Sequence, residues 1–354
     1  MKTTVIFSLL GLCLGGLCAW LLSVSQDQPT FSFAHTVRTA APSVVNIYTL
    51  NATMDDMKPS TKNNNRHNTY QQKKRIEQHR ELSLGSGIIM DDSGVILTNY
   101  HVIKDAKHIL TLLYNGGSAA ATVVGVDPDT DLAVLRIQAP NLTPMRLGNL
   151  QQVHVGDLVL AIGNPYGFGH TVSSGIISAL GRNGLHLNTY EHFIQTDAVI
   201  TMGSSGGALV TQTGELIGIN SAAFTEYGGY QGIGLAIPIN IAVKVMQDIL
   251  DHGQVIRGWL GFDAAEINPL LASEQRLPFN HGIMVTWVHP NGPAAKVNIL
   301  PGDIIIEING MKIINGYESM LSVANLSPHS NIRIMLLRNG ERIAKQIRVG
   351  LRPQ

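Results

Sequence analysis

Cysteine is almost absent from this chain. Its 354 residues include 2, Cys13 and Cys18, and both lie inside the first apolar run. The body therefore has no disulfide framework, no thiolate nucleophile and no thiolate metal site. Charge is equally sparse, with 14% charged residues and Lys plus Arg balancing Asp plus Glu at 25 each. Without a basic surplus there is no electrostatic footprint for nucleic acid, and without an acidic tail there is no solvating role. No HExxH, no clustered metal ligands and no GxxxxGK loop occurs, so the expected chemistry needs no metal, no ATP and no other cofactor. No internal repeat is present either. The length suits two or three domains, and hydrophobic residues at 44% are ample for their cores.

The one long apolar stretch, residues 5–24, follows Met1-Lys2-Thr3-Thr4 and carries no charge. It is long enough to cross a hydrocarbon core as a helix. Its exit, Leu22-Ser23-Val24-Ser25-Gln26, has no A-x-A site, which favours a retained anchor over a cleaved signal. Lys2 is the only charged side chain before it, which puts the N-terminus in the cytoplasm and the body across the membrane. Residues 1–27 are read as anchor and short spacer. Residues 33–43 suit a short helix stopped by Pro42, and residues 44–48 (VVNIY) a first strand. Residues 51–83, rich in Asn, Gln, Lys and Arg, cannot bury enough apolar surface to order themselves, and read as a long mobile loop.

From Leu84 onward short β-rich runs are punctuated by turn signals such as Asp92-Ser93-Gly94 and Asn115-Gly116-Gly117. This texture predicts a mainly β body with two barrels in tandem, spanning residues 28–253. Residues 241–252 have helical spacing, with Asn240 as N-cap and Gly253 as stop. A second module then fills residues 254–354, with a helix near residues 317–326 and a hairpin turning at Asn339-Gly340.

Chemistry concentrates in residues 203–209, GSSGGAL. A serine flanked by glycines in a tight turn presents its hydroxyl, and neighbouring N–H groups can converge on an oxyanion. Ser205 is the candidate nucleophile, with Gly203 and Ser205 as oxyanion donors. A hydroxyl needs a base and a group that fixes the base's tautomer. His101 in TNYHVI and Asp131 in DTDLAVL precede it in a chain order that builds such triads. Asp131 is preferred to Asp127 and Asp129 because it immediately precedes the apolar strand LAVLRI. Residues 219–222, INSA, are expected to form an edge strand that pairs an extended substrate, with Gly203, Ser204, Ile219, Asn220 and Ser221 as substrate contacts. Trp259, Leu260, Gly261 and Phe262 form a candidate carboxylate loop, whose successive N–H groups can receive the C-terminus of another chain.

The motifs TNYHVI, DTDLAVL, AIGNPYG and GSSGGAL, followed by a single PDZ-like tail, resemble the HtrA family of trypsin-fold serine proteases from about Phe33 onward. The resemblance implies a trypsin-like double β-barrel with one PDZ domain, and a small apolar specificity pocket favouring Val or Ala. It implies that Arg182, in the loop ALGRNG, responds to activation. The anchored, single-PDZ members of the family imply activation by C-terminal peptides of misfolded outer-membrane proteins, and cleavage of a membrane-bound anti-sigma factor that starts the envelope stress response. They also imply an inner-membrane location, a periplasmic body and a homotrimer, to which Phe31 and Phe33 could contribute packing. Two alternatives are a broad quality-control protease of the same family and a non-catalytic PDZ scaffold or chaperone. The chain departs from the family at Ser204, where Asn is usual, and at Thr201-Met202.

Overall fold

The fold follows from strands too short to bury a face alone, which close on themselves. The computed structural model describes residues 32–50, 82–164, 170–226, 229–267, 272–273, 281–314 and 316–353. The expected anchor and nearly all of the expected 51–83 loop fall outside them. Among the described residues no helix is long and apolar enough to cross a membrane. The described residues from Thr36 onward belong to one compact unit, Thr36–Gln354.

Helix α1 (Ala34–Ala40) runs into a single 3-10 turn that holds Pro42, as the sequence predicts. Strands β1 (Val44–Leu50), β2 (Leu82–Ile89), β3 (Val95–Asn99), β4 (His108–Leu112), β5 (Ser118–Asp127) and β6 (Leu132–Arg136) then close a barrel in the order β1-β2-β3-β6-β5-β4. Val45, Ile47, Ile89, Ile96, Ala133 and Leu135 fill it, and the one-turn helix α2 (Tyr100–Ile103) adds Val102 and Ile103. Strands β7 (Leu158–Gly163), β8 (Thr171–Arg182), β9 (Phe193–Thr196), β10 (Ala208–Thr211), β11 (Leu216–Glu226) and β12 (Gly229–Pro238) close a second barrel, β10-β11-β12-β9-β8-β7. β-branched and leucine side chains dominate both interiors, which suits a pleated wall with one face buried.

Helix α3 (Ile239–His252) packs Ala242, Val245 and Ile249 inward and ends at Gly253, as expected. Its start differs from the sequence reading. Pro238, in extended conformation, precedes the first turn, so Asn240 is already helical rather than the cap. Proline suits that junction because it cannot continue a ladder and its fixed φ leads into a helix.

The C-terminal module pairs β13 (Gly258–Trp259) with β20 (Gly350–Leu351). Its main sheet comprises β14 (Phe262–Glu266), β15 (Ile283–Val288), β16 (Ile304–Ile308), β18 (Asn331–Arg338) and β19 (Glu341–Arg348), in that order, with β17 (Met311–Lys312) beside β16. Helices α4 (Pro293–Lys296) and α5 (Gly316–Ala324) complete it. The β18–β19 hairpin turns where expected, with both Asn339 and Gly340 at positive φ. Strand β14 lies at the sheet edge, leaving one side open for an added strand.

Candidate active site

His101 is presented by α2, whose start is fixed by Asp131, the residue that immediately precedes β6. The backbone N–H of Tyr100 (3.1 Å) and Nδ2 of Asn99 (2.9 Å) both donate to the carbonyl of Asp131. Asp131 sits at φ 57°, a left-handed conformation that aspartate tolerates better than most residues. That twist directs its carboxylate back at the helix. Oδ1 accepts the His101 N–H (2.9 Å), and Oδ2 lies 2.7 Å from His101 Nδ1. A carboxylate on Nδ1 makes that nitrogen the proton carrier and leaves Nε2 as an acceptor.

Ser205 follows a four-residue turn closed by the Ser204 N–H on the Thr201 carbonyl (2.8 Å). Gly203 occupies its third position at φ 90° while Met202 keeps a negative φ, the pattern of a type II turn. Such a turn directs the third residue's N–H outward. Among the described residues, the N–H groups of Gly203 and Ser205 have no acceptor, and two unspent donors beside a serine hydroxyl are what an oxyanion hole requires.

Ser86, which the sequence reading missed, bolts this loop to the first barrel. Its N–H donates to the Ser205 carbonyl (2.8 Å), and its Oγ donates to the Gly203 carbonyl (2.8 Å) while accepting the Asn164 N–H (2.9 Å). The only local sign of its role is a small polar residue inside the otherwise apolar run GSGII.

Ser221 links the pieces. Its Oγ donates to Asp131 Oδ2 (3.3 Å), and its carbonyl accepts Ser205 Oγ (3.0 Å). The structure thus brings His101, Asp131 and Ser205 together, with the hydroxyl resting on Ser221 rather than on the imidazole. The expected edge strand needs correction. Ile219 is paired with Ala208 on one side and Ile237 on the other. Asn220 is bonded to the 206–207 backbone and paired with Ala236, and both side chains are fully buried. Barrel closure consumes these two positions, so the open edge starts at Ser221, where a bulge between Asn220 and Ala222 turns the carbonyl into the cleft. Ser204 is also buried, and its N–H is taken by Thr201.

Arg182 ends β8 instead of lying in a loop, because the strand continues through a register shift to pair Arg182 with Phe193. Its Nε donates to Gln195 Oε1 (2.8 Å).

Trp259, Leu260 and Phe262 line a groove of about 600 Å³ between β14 and α5, with Ile283, Ile308 and Val323 among its apolar walls. Gly261, between Leu260 and Phe262, is buried at φ 78°. The loop is held by its carbonyls, since Leu260 accepts from Ala294 (2.8 Å) and Gly261 from His289 (3.0 Å). The N–H groups of Leu260 and Gly261 have no acceptor among the described residues.

The protease and the C-terminal module meet through charge. Arg257 Nη1 donates to Asp127 Oδ1 at 2.8 Å, and its guanidinium lies 4.6 Å over the Tyr190 ring. Arg352 donates to Asp129 (3.0 Å) and to the Tyr190 hydroxyl. Burial opposes the charge on Arg257, but hydrogen bonding and attraction from Asp127, with Tyr190 and Asp129, hold its pKa above the ordinary guanidinium value. Burial is also the main reason the Tyr190 phenol is pushed up, against the pull of both arginines. With 11% and 5% of the Arg257 and Asp127 side chains exposed, Arg257→Ala would strand a buried carboxylate. We expect it to lower unfolding free energy by about 3 kcal/mol in urea melts, whereas Arg182→Ala should change it by less than about 0.5 kcal/mol.

Residues 85–219 match the trypsin-like peptidase domain family, and residues 258–349 match the PDZ domain family. Serine endoprotease DegS of Escherichia coli is 41% identical over 329 residues, covering 92% of this chain and 87% of DegS. Periplasmic serine endoprotease DegP of the same species is 44% identical over 280 residues, covering 78% of this chain and 58% of DegP. Among solved structures, the HtrA-type protease AlgW with decapeptide aligns at TM-score 0.78 and 45% identity, covering 92% of this chain and 100% of that one. Identity at this level, carried through both domains and over most of DegS, puts the chain in the HtrA family, and it is a serine endopeptidase.

Proposed function

We propose that the chain is a peptide-activated endopeptidase in which Ser205 attacks, His101 takes the proton, Asp131 holds the imidazole, and the N–H groups of Gly203 and Ser205 receive the oxyanion. An extended protein substrate pairs with β11 from Ser221 onward. A hydrophobic C-terminus enters the β14–α5 groove, with its carboxylate on the loop of Trp259, Leu260, Gly261 and Phe262. In this reading residues 1–27 anchor the chain in the inner membrane, residues 28–253 form the periplasmic protease, residues 254–354 read the activator, and the assembly is a homotrimer. The activators are C-termini of misfolded outer-membrane proteins, and the substrate is a membrane-bound anti-sigma factor.

The observation that carries peptide activation is the shared wall of the groove. His186, Asn188, Thr189 and Tyr190 of the protease line it together with the PDZ residues. The same segment is tied to the turn that bears Asp131, through Tyr190 N–H on the Asp129 carbonyl (3.0 Å) and Asn188 Nδ2 on the Thr130 carbonyl (3.2 Å). A peptide in the groove therefore touches backbone that leads directly to the triad. That the solved AlgW relatives carry a decapeptide or a tripeptide agrees with this reading.

The test is turnover of a Val- and Ala-containing peptide by the fragment beginning near Gln28, with and without a hydrophobic C-terminal peptide. Stimulation of about 5- to 150-fold is expected, the usual range of allosteric coupling. Arg182→Ala should lose that stimulation and keep basal turnover. High basal activity on unfolded proteins without any peptide would instead support the quality-control reading, which the similarity to DegP favours.

A further inference from the structure

His289 takes no part in the machinery above, yet it is fastened to the carboxylate loop. Its N–H donates to the Gly261 carbonyl (3.0 Å), and its own carbonyl accepts from Gly292 (2.9 Å). Its ring stands edge to face between two indoles, with centroids 5.0 Å from Trp259 and 4.0 Å from Trp287. Nε2 lies 3.8 Å from Asp263 Oδ1. Trp259 and Asp263 both line the groove. The groups facing the imidazole are thus the indoles of β13 and β15 and the carboxylate of β14, and Asp263 is the one charged group within ion-pair distance among the described residues. Indole rings and a carboxylate are groups beside which a charged imidazole can sit. The loop itself offers a terminal carboxylate only neutral backbone donors. Arg352, which also lines the groove, is already engaged by Asp129 and Tyr190.

We propose that His289, once protonated, is a second recognition group for the terminal carboxylate of the activating peptide, so that peptide binding strengthens as pH falls. The inference rests on the reading of the β14–α5 groove as the activator site. Imidazole is the side chain that changes charge between about pH 5 and 8, and the gain is present when it is charged and lost as it deprotonates. In a water-like setting a unit charge about 4 Å from a carboxylate strengthens the pairing about five-fold.

The experiment uses the full chain in detergent micelles with Ser205→Ala, which removes turnover from the readout. The probes are a fluorescent peptide with a hydrophobic free C-terminus and the same peptide as its C-terminal amide. We expect the free acid to bind about five-fold tighter at about pH 5.5 than at about pH 8, the amide to gain far less, and His289→Gln to flatten the profile. An equal pH gain in His289→Gln, an equal gain for the amide, or a flat wild-type profile would overturn the proposal and leave the groove assignment standing. Absence of peptide binding at every pH would overturn both.

Discussion

Turnover by the Ser205→Ala protein is expected to fall by about a million-fold, to a residue of catalysis that the oxyanion donors and substrate binding alone provide. The hydroxyl is the one group of this site that can form the acyl bond. Neither His101 nor the buried Ser221 can substitute for it. Stability should hardly change, because Ser205 Oγ makes a single hydrogen bond, to the Ser221 carbonyl, and the fixing bond from Ser86 goes to the Ser205 backbone. Asp131→Asn should cost less, about ten thousand-fold in kcat, since an amide can leave the imidazole in the wrong tautomer without displacing it. Single-turnover kinetics alongside thermal melts check both. A Ser205→Ala protein with more than about one per cent of wild-type turnover would remove Ser205 from the role of nucleophile.

Gly206→Ala should be nearly as damaging although it adds one methyl group. Gly206 holds φ 81°, and a Cβ there would stand 2.1 Å from the Ser86 carbonyl oxygen and 2.3 Å from Thr98 Oγ1. Backbone on a barrel strand cannot yield by an ångström, so the loop must move instead. Doing so breaks Gly206 N–H on the Asn220 carbonyl (2.8 Å) and Ser86 N–H on Ser205 (2.8 Å). The proposed oxyanion donors would then point away from where charge develops, and the loss of one aligned donor alone costs about 100- to 1,000-fold. We expect kcat to drop at least about 1,000-fold, with about 2–4 kcal/mol of stability lost to strain and broken bonds. Near-normal kcat in this variant would show that the loop is not pinned by Ser86.

What could be read from the chain alone was whatever is local. The turn at Asn339-Gly340, the stop at Gly253 and the strands around His101 and Ser205 each depend on a few neighbouring residues. The two barrels followed from the spacing of those strands. Features set by closure were hidden. That Ile219 and Asn220 have partners on both sides depends on where β10 and β12 end, and a short polar-apolar run looks the same at an edge or in the middle of a sheet. Ser86 reaches Gly203 across 117 positions, and Arg257 reaches Asp127 across 130. No periodicity marks such a pair. Arg182 reads as a loop residue because its flanking glycines and Asn183 look like a turn, whereas the register shift carries β8 through Gly181 to end at Arg182.

The bond from Ser205 to the Ser221 carbonyl has a bearing on how the idle enzyme avoids damage. The acceptor that occupies the hydroxyl is also the first cleft-facing carbonyl of the open edge, the place where an extended chain would bring its own N–H. On the proposed reading of that edge, a peptide docking there would claim the acceptor and free the hydroxyl to swing to His101. A small electrophile has no backbone to offer and meets the serine still latched. On that reading the shape of the target arms the enzyme, and compact acylating reagents should modify it slowly while peptide-like ones of equal reactivity modify it fast.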